Sequence, residues 1–173
     1  MRIHMVDTLA LPASVVAIGA FDGVHRGHQK VIGEVVKKSK SLGVPSVVYT
    51  FDPPPRSYFE GASILTPIHE KLRRLCELQV DHVVVANFDA AYLERSAKDF
   101  IRELSNLHPV EVMVGKDFRF GRGREGGLED LAEHFPVWVI DAVCCSCGEV
   151  ISSTRIRQLI AQGEMVEALS LLN

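Results

Sequence analysis

Apolar runs rich in valine and isoleucine alternate along the chain with segments whose apolar residues recur every three or four positions. The first pattern is typical of strands buried on both faces, and the second of helices packed against a sheet. Five runs predict strands, at residues 14–21, 45–51, 81–88, 110–117 and 136–143. Their spacing, about 25 to 35 residues, leaves room for a crossover helix between successive strands. The pattern therefore predicts an α/β fold with an open, mostly parallel sheet of five strands flanked by helices.

Helical periodicity covers most of the remaining sequence. It predicts helices at residues 28–43, 67–79, 96–108, 128–135, 154–163 and 165–173, with a short additional strand at 148–153. The sequence shows no internal repeat and no linker-like segment. With 173 residues, 47% of them hydrophobic, the chain can bury a core without disulfides or metals, so we expect a single domain over residues 1–173.

Charge and hydropathy restrict the classes of partner. The 19 basic and 22 acidic side chains give a net charge of -3, which predicts no binding of nucleic acid or of an anionic membrane surface. No apolar run reaches the roughly eighteen residues of a membrane span, and the first residues do not resemble a signal peptide, so we expect a cytoplasmic protein.

Cys144, Cys145 and Cys147 do not have the spacing of a zinc site, and we expect reduced, partly buried thiols.

The segment "GAFDGVHRGHQ", residues 19–29, follows the first predicted strand. Ligands of open parallel sheets bind beyond the carboxyl ends of the strands, where helix amino termini point inward. The three glycines of the segment permit close backbone approach, and free amides at a helix start attract an anion. His25 and His28 lie one helical turn apart, so both imidazoles can reach one phosphate chain. The segment therefore predicts a phosphate site rather than only an unusual turn.

Three further loops follow strands or precede a helix. In "TFDPPPRSYF", residues 50–59, the prolines predict a stiff extended segment, and Phe51, Tyr58 and Phe59 are candidates for the wall of a flat-ring site. The loop "VGKDFRFGRGREGG", residues 114–127, combines aromatic, basic and glycine residues, as a flap over a planar charged ligand would. The segment "ISSTRIR", residues 151–157, combines helix-capping hydroxyls with arginines and is a second candidate anion site.

In this order and spacing, "GAFDGVHRGHQ", "TFDPPP", "VGKDFRFG" and "ISSTRIR" resemble the FMN adenylyltransferase domain of the bacterial bifunctional riboflavin kinase/FAD synthetase family. This family belongs to the H-x-G-H nucleotidyltransferase superfamily, and the resemblance spans essentially the whole chain. It implies a Rossmann-like fold and transfer of AMP from ATP to FMN, giving FAD and pyrophosphate, with Mg²⁺. The acceptor FMN would come from a separate riboflavin kinase if the chain is a natural full-length protein.

The resemblance also implies roles for individual residues. Catalysis would fall to His25, His28 and Arg157. The ATP site would be lined by Gly19, Phe21, Asp22, Gly27, Ser153, Thr154 and Arg155. The flavin would lie against Phe51, Asp117, Phe118 and Phe120. No residue is assigned to the metal, and the oligomeric state is not indicated.

The chain departs from the family pattern at two points. Pro54 stands where the family's proline-rich motif usually has a histidine, which places one polar contact near the nucleotide or flavin in question. The chain also stops at about the point where bifunctional members continue into a riboflavin kinase domain. We therefore expect no phosphorylation of riboflavin.

Three other functions are compatible with parts of the sequence. A nucleotidyltransferase with another phosphorylated acceptor would share the histidine loop but have little use for the aromatic loop near Phe118. A non-catalytic nucleotide- or flavin-binding module is favoured only by Pro54. A flavin electron carrier would share the open sheet, but it has no need of His25, His28 or Arg157.

Overall fold

The computed structural model describes residues 1–172, and within them six strands form one sheet. The strands are β1 (Arg2–Met5), β2 (Ser14–Ile18), β3 (Ser46–Asp52), β4 (His82–Asn87), β5 (Pro109–Gly115) and β6 (Val137–Ile140). They are ordered β1-β4-β3-β2-β5-β6, and each neighbouring pair is parallel. The predicted Rossmann-like α/β fold is confirmed, with six strands instead of five.

The direction in which the sheet grows reverses at β2. The chain adds β3 and β4 on one side of β2, and then β5 and β6 on the other side. The loops that leave β2 and β5 therefore run in opposite directions and open a crevice at the carboxyl ends of these strands. The strand order alone places the expected ligand site between β2 and β5.

Helices cover both faces of the sheet. They are α1 (Arg26–Leu42), α2 (Pro55–Glu60), α3 (Ile68–Glu77), α4 (Ala90–Leu93), α5 (Ala97–Ser105), α6 (Leu128–Ala132), α7 (Ser153–Ala161) and α8 (Met165–Leu172). A short 3-10 turn spans Arg122–Arg124. The helices predicted from periodicity correspond to α1, α3, α5, α6, α7 and α8, with ends displaced by a few residues. Residue 173 of the last predicted helix lies outside the described residues.

Successive residues of β2 point into two different cores. Val16 lies in the cluster that includes Phe100 of α5, whereas Val15 lies in the cluster that includes Ile32 of α1. All five residues of β2 are buried. This two-sided burial is the reason that the central strands read as continuous apolar runs rather than as alternating patterns.

Strand β1 is an edge strand that the hydrophobic pattern did not predict. Its four residues are mostly exposed, so they carry no strong apolar signal. The strand forms through pairing with β4, in a register that places Arg2 opposite His82. Such a strand depends on the backbone groups of its neighbour rather than on burial of its own side chains.

The proline-rich segment after β3 is helical where the sequence predicted an extended segment. Helix α2 begins at Pro55, directly after Pro54 in the N-cap position. Proline suits the first position of a helix, because its fixed φ matches the helix and its missing N–H would have no partner there. The strand expected at 148–153 is also absent, since this segment contributes only an isolated bridge between Cys144 and Val150.

The last two helices form a small unit beside α1. Helices α7 and α8 share an apolar cluster that contains Ile156 and Leu171. The Leu172 carbonyl accepts hydrogen bonds from Gln29 Nε2 and Arg74 Nη1, each at 3.2 Å. These contacts hold the α7–α8 unit against the helices that follow β2 and precede β4.

Candidate active site

A cleft of about 560 Å³ lies at the carboxyl ends of β2 and β5, where the strand order reverses. Its walls are the β2–α1 loop, the start of α1, the ends of β5 and β6, and the start of α7. Eleven of the fourteen site residues predicted from the sequence line it: Gly19, Phe21, Asp22, His25, Gly27, His28, Asp117, Phe118, Ser153, Thr154 and Arg157. The structure thus brings together segments that are more than a hundred residues apart in the chain.

The β2–α1 loop turns sharply at Phe21. This residue is buried and has a φ of 47°, an unfavourable value for a side chain of this size. Its ring meets the His28 ring edge-on, with centroids 5.3 Å apart. A Cβ atom at Gly19 would lie only 3.0 Å from this ring, so a glycine is needed there for the Phe21 side chain to fold back under the loop.

His25 is the N-cap residue of α1. Its Nδ1 atom accepts a hydrogen bond from the His28 backbone N–H at 3.3 Å, as the side chains of Ser or Asp do in other N-caps. Because Nδ1 is an acceptor, the proton of the neutral ring resides on Nε2. His25 therefore has one ring N–H left with which to donate to a ligand.

The His25 and His28 rings are stacked, with centroids 3.5 Å apart and planes inclined by 19°. Desolvation lowers the pKa of His25 from 6.5 to about 4. Desolvation, with added repulsion from His25 and from the Lys71 ammonium, also holds the pKa of His28 well below its usual value. Both imidazoles are therefore neutral at pH 7 in the free protein, and they act as N–H donors rather than as fixed positive charges.

Asp22 connects the loop to two other parts of the chain. Its buried carboxylate forms an ion pair with Arg157 of α7. It also accepts hydrogen bonds from the backbone N–H groups of Leu65 and Thr66, at 3.0 and 3.1 Å. The Arg157 Nε atom donates to the Ser63 carbonyl at 2.7 Å. Asp22 and Arg157 therefore tie the β2–α1 loop, the segment before α3 and helix α7 into one rigid wall.

The beginnings of α1 and α7 are in direct contact. The Ser153 hydroxyl donates to the Asp22 carbonyl at 2.7 Å. A Cβ atom added at Gly27 would lie 3.4 Å from the Ile151 carbonyl and 3.1 Å from His25 Nδ1. Glycine at position 27 thus leaves room for the His25 ring, and the two candidate anion sites face one cleft.

The start of α7 presents hydroxyl groups to the cleft. Ser152 caps the helix by accepting a hydrogen bond from the Arg155 backbone N–H at 3.2 Å. Thr154 accepts a hydrogen bond from Arg56 of α2, which also lines the cleft. The Arg56 side chain was not among the predicted site residues. Pro54, which replaces the family's usual histidine, is a cleft-lining residue without a side-chain donor.

Lys71 is a buried cation beneath the β2–α1 loop that sequence reasoning did not single out. It is 1% exposed, and its Nζ atom donates to the Ala20 and Phe51 carbonyls at 2.9 and 3.0 Å. Desolvation lowers the pKa of Lys71 to about 8, while nearby Asp22 opposes this change. The ammonium remains charged at pH 7 and cross-links the ends of β2 and β3. A lysine in an amphipathic helix carries no sequence signal for such a role.

The structure places three predicted site residues away from the cleft. Phe51 and Phe120 are buried in the apolar cluster around α5, where Phe120 lies 5.0 Å from Phe100 between ring centroids. The Arg155 guanidinium does not line the cleft and lies between the β6–α7 connection and α8, where it pairs with Glu149 and Glu167. Alternation along β3 places Phe51 in the core, packing against Phe100 and Phe118 buries Phe120, and the position of Arg155 on α7 directs its side chain to the β6–α7 connection.

The cysteine cluster also differs from its prediction. Cys145 and Cys147 are joined by a disulfide, and Cys144 is free and exposed. The expectation of three reduced, partly buried thiols is therefore wrong for this structure. The bonded pair lies in the connection between β6 and α7, next to the cleft wall.

No helix among residues 1–172 is long and apolar enough to cross a membrane.

Within the same described residues, no group of three or more His, Cys, Asp or Glu side chains is arranged to hold a metal ion. The exposed carboxylates along the cleft are those of Asp117 and Asp141. An octahedral Mg²⁺ ion usually takes one or two carboxylates together with substrate phosphates and water, so the cleft fits a Mg²⁺ ion that arrives with a nucleotide.

The fold and site together define the class of the protein. A parallel sheet whose order reverses at β2, with an H-x-G-H loop at the mouth of α1, is a nucleotide-binding α/β unit of the nucleotidyltransferase type. The chain belongs to the FAD synthetase family, because the sequence model of that family matches residues 8–155. The predictions of family, enzyme class and conversion of FMN to FAD are confirmed by this match and by the relatives.

Two curated relatives illustrate the match. The chain is 54% identical over 173 residues to a Geobacillus thermodenitrificans protein named "Putative bifunctional riboflavin kinase/FMN adenylyltransferase", covering 99% of this chain and 97% of that protein. It is 35% identical over 179 residues to the bifunctional riboflavin kinase/FMN adenylyltransferase of Escherichia coli K12. That alignment covers 98% of this chain and 57% of the relative, so the chain spans little more than half of the Escherichia coli protein.

A solved structure is similar over nearly the whole chain. A Streptococcus pneumoniae protein described as a macrolide-efflux protein superimposes with a TM-score of 0.83 at 28% identity, covering 98% of this chain and 61% of that one. Its sheet and helices therefore follow the same path as those described here.

Proposed function

We propose that this chain transfers AMP from ATP to the phosphate of FMN, giving FAD and pyrophosphate, in the cleft between β2 and β5. One phosphate oxygen of FMN attacks the α-phosphorus of ATP. The bond from that phosphorus to the bridging oxygen breaks, and pyrophosphate leaves. A phosphate monoester has its second pKa near 6 and is largely ionised at pH 7, so the attacking group needs no general base. The protein has to align two polyanions and stabilise the charge that moves to the leaving group.

The observation that carries this proposal is the contact between the start of α1 and the start of α7. The Ser153 hydroxyl lies 2.7 Å from the Asp22 carbonyl, so both helix starts border the same cleft. Helix amino termini stabilise phosphate oxygens through free N–H groups and the helix dipole. One triphosphate chain can therefore interact with both helix starts at once.

We assign the phosphate contacts of α1 to its two histidines. The Nε2–H group of His25 is free to donate, because Nδ1 is occupied by the His28 backbone N–H. The His28 Nδ1 atom is buried and has no hydrogen-bond partner within residues 1–172. Since both rings are neutral before binding, the arrival of a polyanion raises their proton affinity, and any proton taken up strengthens the contact.

We assign the second side of the triphosphate site to Ser153 and Thr154. Their hydroxyls and backbone N–H groups lie in the first turn of α7. Arg157 is a positioning residue in this proposal, because its guanidinium is already engaged by Asp22 and by the Ser63 carbonyl. Arg155 is left out of the ATP site, since its guanidinium does not line the cleft and is engaged by Glu149 and Glu167.

The flavin ring is proposed to lie against Phe118 and Pro54, which line the cleft. Phe120 supports this wall from behind, because its ring stacks on Phe118 with centroids 5.7 Å apart. Asp117 lies beside Phe118 on the exposed end of the loop and is available to accept hydrogen bonds from the flavin or the ribityl chain. A non-flavin acceptor would make little use of this aromatic wall.

Mg²⁺ is proposed to enter with ATP, held by phosphate oxygens together with Asp117 or Asp141. When bound, the ion offsets the negative charge of the phosphates that the two substrates bring together.

The assay for this proposal is the appearance of FAD from FMN, ATP and Mg²⁺, with riboflavin in place of FMN as a negative control because it lacks the attacking phosphate.

We expect His28→Ala to lower the turnover rate by about a hundredfold or more, as loss of one preorganised donor costs about 3 kcal/mol. His134→Ala is the matched control, since His134 is exposed at the end of α6 and should leave turnover unchanged. Near-normal turnover of His28→Ala would remove this histidine from the mechanism.

A further inference from the structure

The connection between β6 and α7 contains a feature that AMP transfer does not use. Residues 143–151 form a small hairpin, here called the cysteine hairpin. The Cys145 backbone N–H donates to the Glu149 carbonyl, and the Ile151 N–H donates to the Val143 carbonyl, each at 2.8 Å. The disulfide between Cys145 and Cys147 closes the tip of this hairpin across one intervening residue.

A single guanidinium lies against both sulfur atoms. Arg155 Nη1 is 3.3 Å from Cys145 Sγ, and Arg155 Nη2 is 3.8 Å from Cys147 Sγ. Nη2 also forms ion pairs with Glu149 at 2.8 Å and Glu167 at 2.6 Å, which hold the side chain in place. A fixed cation beside a sulfur stabilises the thiolate, which is the reactive form in thiol–disulfide exchange.

The hairpin is accessible from solvent on one side and borders the cleft on the other. Cys147 is exposed and Cys145 is half-buried, so a small reagent can reach the pair. Val143, Val150 and Ile151 of the same hairpin line the cleft, and Ile151 approaches Gly27 of α1. The sulfurs therefore lie within a few residues of the cleft wall.

We propose that Cys145 and Cys147 are a redox-active dithiol that exchanges with small-molecule disulfides, and that closing the disulfide strengthens nucleotide binding in the adjacent cleft. The second part rests on the proposed function. The closed ring restricts the hairpin before the nucleotide arrives, so less conformational entropy is lost on binding. The reduced hairpin has to lose that freedom when the nucleotide binds.

The exchange balances without a further co-reactant. One protein thiolate attacks a sulfur of the small disulfide and expels the first small thiolate, leaving a mixed disulfide. The second protein thiolate attacks the protein sulfur of that bond and expels the second small thiolate. The small disulfide is reduced by two electrons, the protein dithiol is oxidised by two, and the two protons from the protein thiols pass to the leaving thiolates.

The site is tested first without any activity readout. In a Cys76→Ser/Cys144→Ser background, the fully reduced chain is incubated with oxidised glutathione, alkylated and weighed by mass spectrometry. We expect loss of both alkylation sites and a mass lower by two hydrogens. The matched control is Cys145→Ser/Cys147→Ser, which also keeps two cysteines, both of them exposed, and should retain both alkylation sites. Retention of two free thiols in the Cys145/Cys147 chain would overturn the proposal.

The role of Arg155 and the coupling to the cleft have separate readouts. Arg155→Met should slow the exchange by about tenfold, and an unchanged rate would remove the guanidinium from the site.

Calorimetry with ATP should give a dissociation constant at least about threefold lower for the oxidised chain than for the reduced chain. Equal constants would overturn the coupling, whereas failure of either form to bind ATP would count against the proposed function and leave the thiol result standing.

Discussion

At the scale of single residues, the site depends on titratable side chains that are desolvated beside the cleft. His25 and His28 are neutral at pH 7 because they are desolvated, while Lys71 stays charged although it is buried. The sequence predicted the two histidines from their spacing, but it gave no sign of Lys71, whose contacts come from α3 packing against the ends of β2 and β3. For Phe120 the error has the other sign. Its place in an aromatic loop suggested a ligand contact, but the structure buries its ring in the core.

His25 makes folding sensitive to acid. Its pKa is about 4 in the folded chain and 6.5 as an ordinary value, so the unfolded chain binds more protons between these values and stability is lost as the pH falls. We expect the loss at pH 5, relative to pH 7, to be about 2 kcal/mol larger for the native sequence than for His25→Asn. Asparagine retains the N-cap acceptor but does not titrate.

Urea unfolding of both chains at several pH values is the measurement. The comparison between them is needed because Glu103 acts in the opposite direction, since burial raises its pKa to about 7. Parallel pH profiles for the two chains would show that His25 does not carry the acid sensitivity.

At the scale of secondary-structure elements, the site is assembled from the ends of strands and the starts of helices. The hydrophobic pattern located β2 to β6 and most helices, because each contains an apolar run or an apolar helical stripe, although β6 at the sheet edge is only partly buried. It missed the short elements β1, α2 and α4. Strand β1 forms through strand pairing, α2 begins at a proline, and α4 is a four-residue helix capped by Asp89. The sequence identified the starts of α1 and α7 as two separate candidate anion sites, and the structure brings them into direct contact through the Ser153 hydroxyl and the Asp22 carbonyl.

Two glycines of α1 allow a matched test of the packing around His25 at the start of this helix. We expect Gly27→Ala to weaken ATP binding by roughly tenfold, because the added methyl group lies 3.1 Å from His25 Nδ1 and 3.4 Å from the Ile151 carbonyl. Gly33→Ala is the control, since a Cβ there meets no atom within 4 Å and alanine should stabilise the helix by up to about 1 kcal/mol. Calorimetry with ATP measures both, and equal affinities would show that the start of α1 tolerates a methyl group beside His25.

At the scale of the whole molecule, one buried ion pair joins the α7–α8 unit to the sheet. Asp22 follows β2 and Arg157 lies in α7, so this contact closes a segment of more than a hundred residues. Buried pairs cost desolvation energy, but removing one partner leaves an unpaired charge and costs more. The ion pair therefore couples the stability of the fold to the integrity of the cleft.

A double-mutant cycle measures this coupling. Asp22→Ala and Arg157→Ala should each destabilise the chain by about 3 kcal/mol, and the double variant should lose less than the sum by about 1–3 kcal/mol. Chemical denaturation provides the free energies of unfolding. Additive losses would mean that the two side chains act independently.

The sequence by itself determined the parallel α/β architecture, the H-x-G-H loop at the start of α1 and the family, because these features depend on local periodicity and on residues close together in the chain. Only the tertiary structure decided which of the predicted residues reach the cleft. Alternation along β3 places the Phe51 side chain in the core, and the position of Arg155 on α7 places its guanidinium against Cys145. Packing of α3 on the sheet places Lys71 beneath the β2–α1 loop. These outcomes depend on the direction of a side chain relative to distant elements, and such directions are fixed only when the elements pack together.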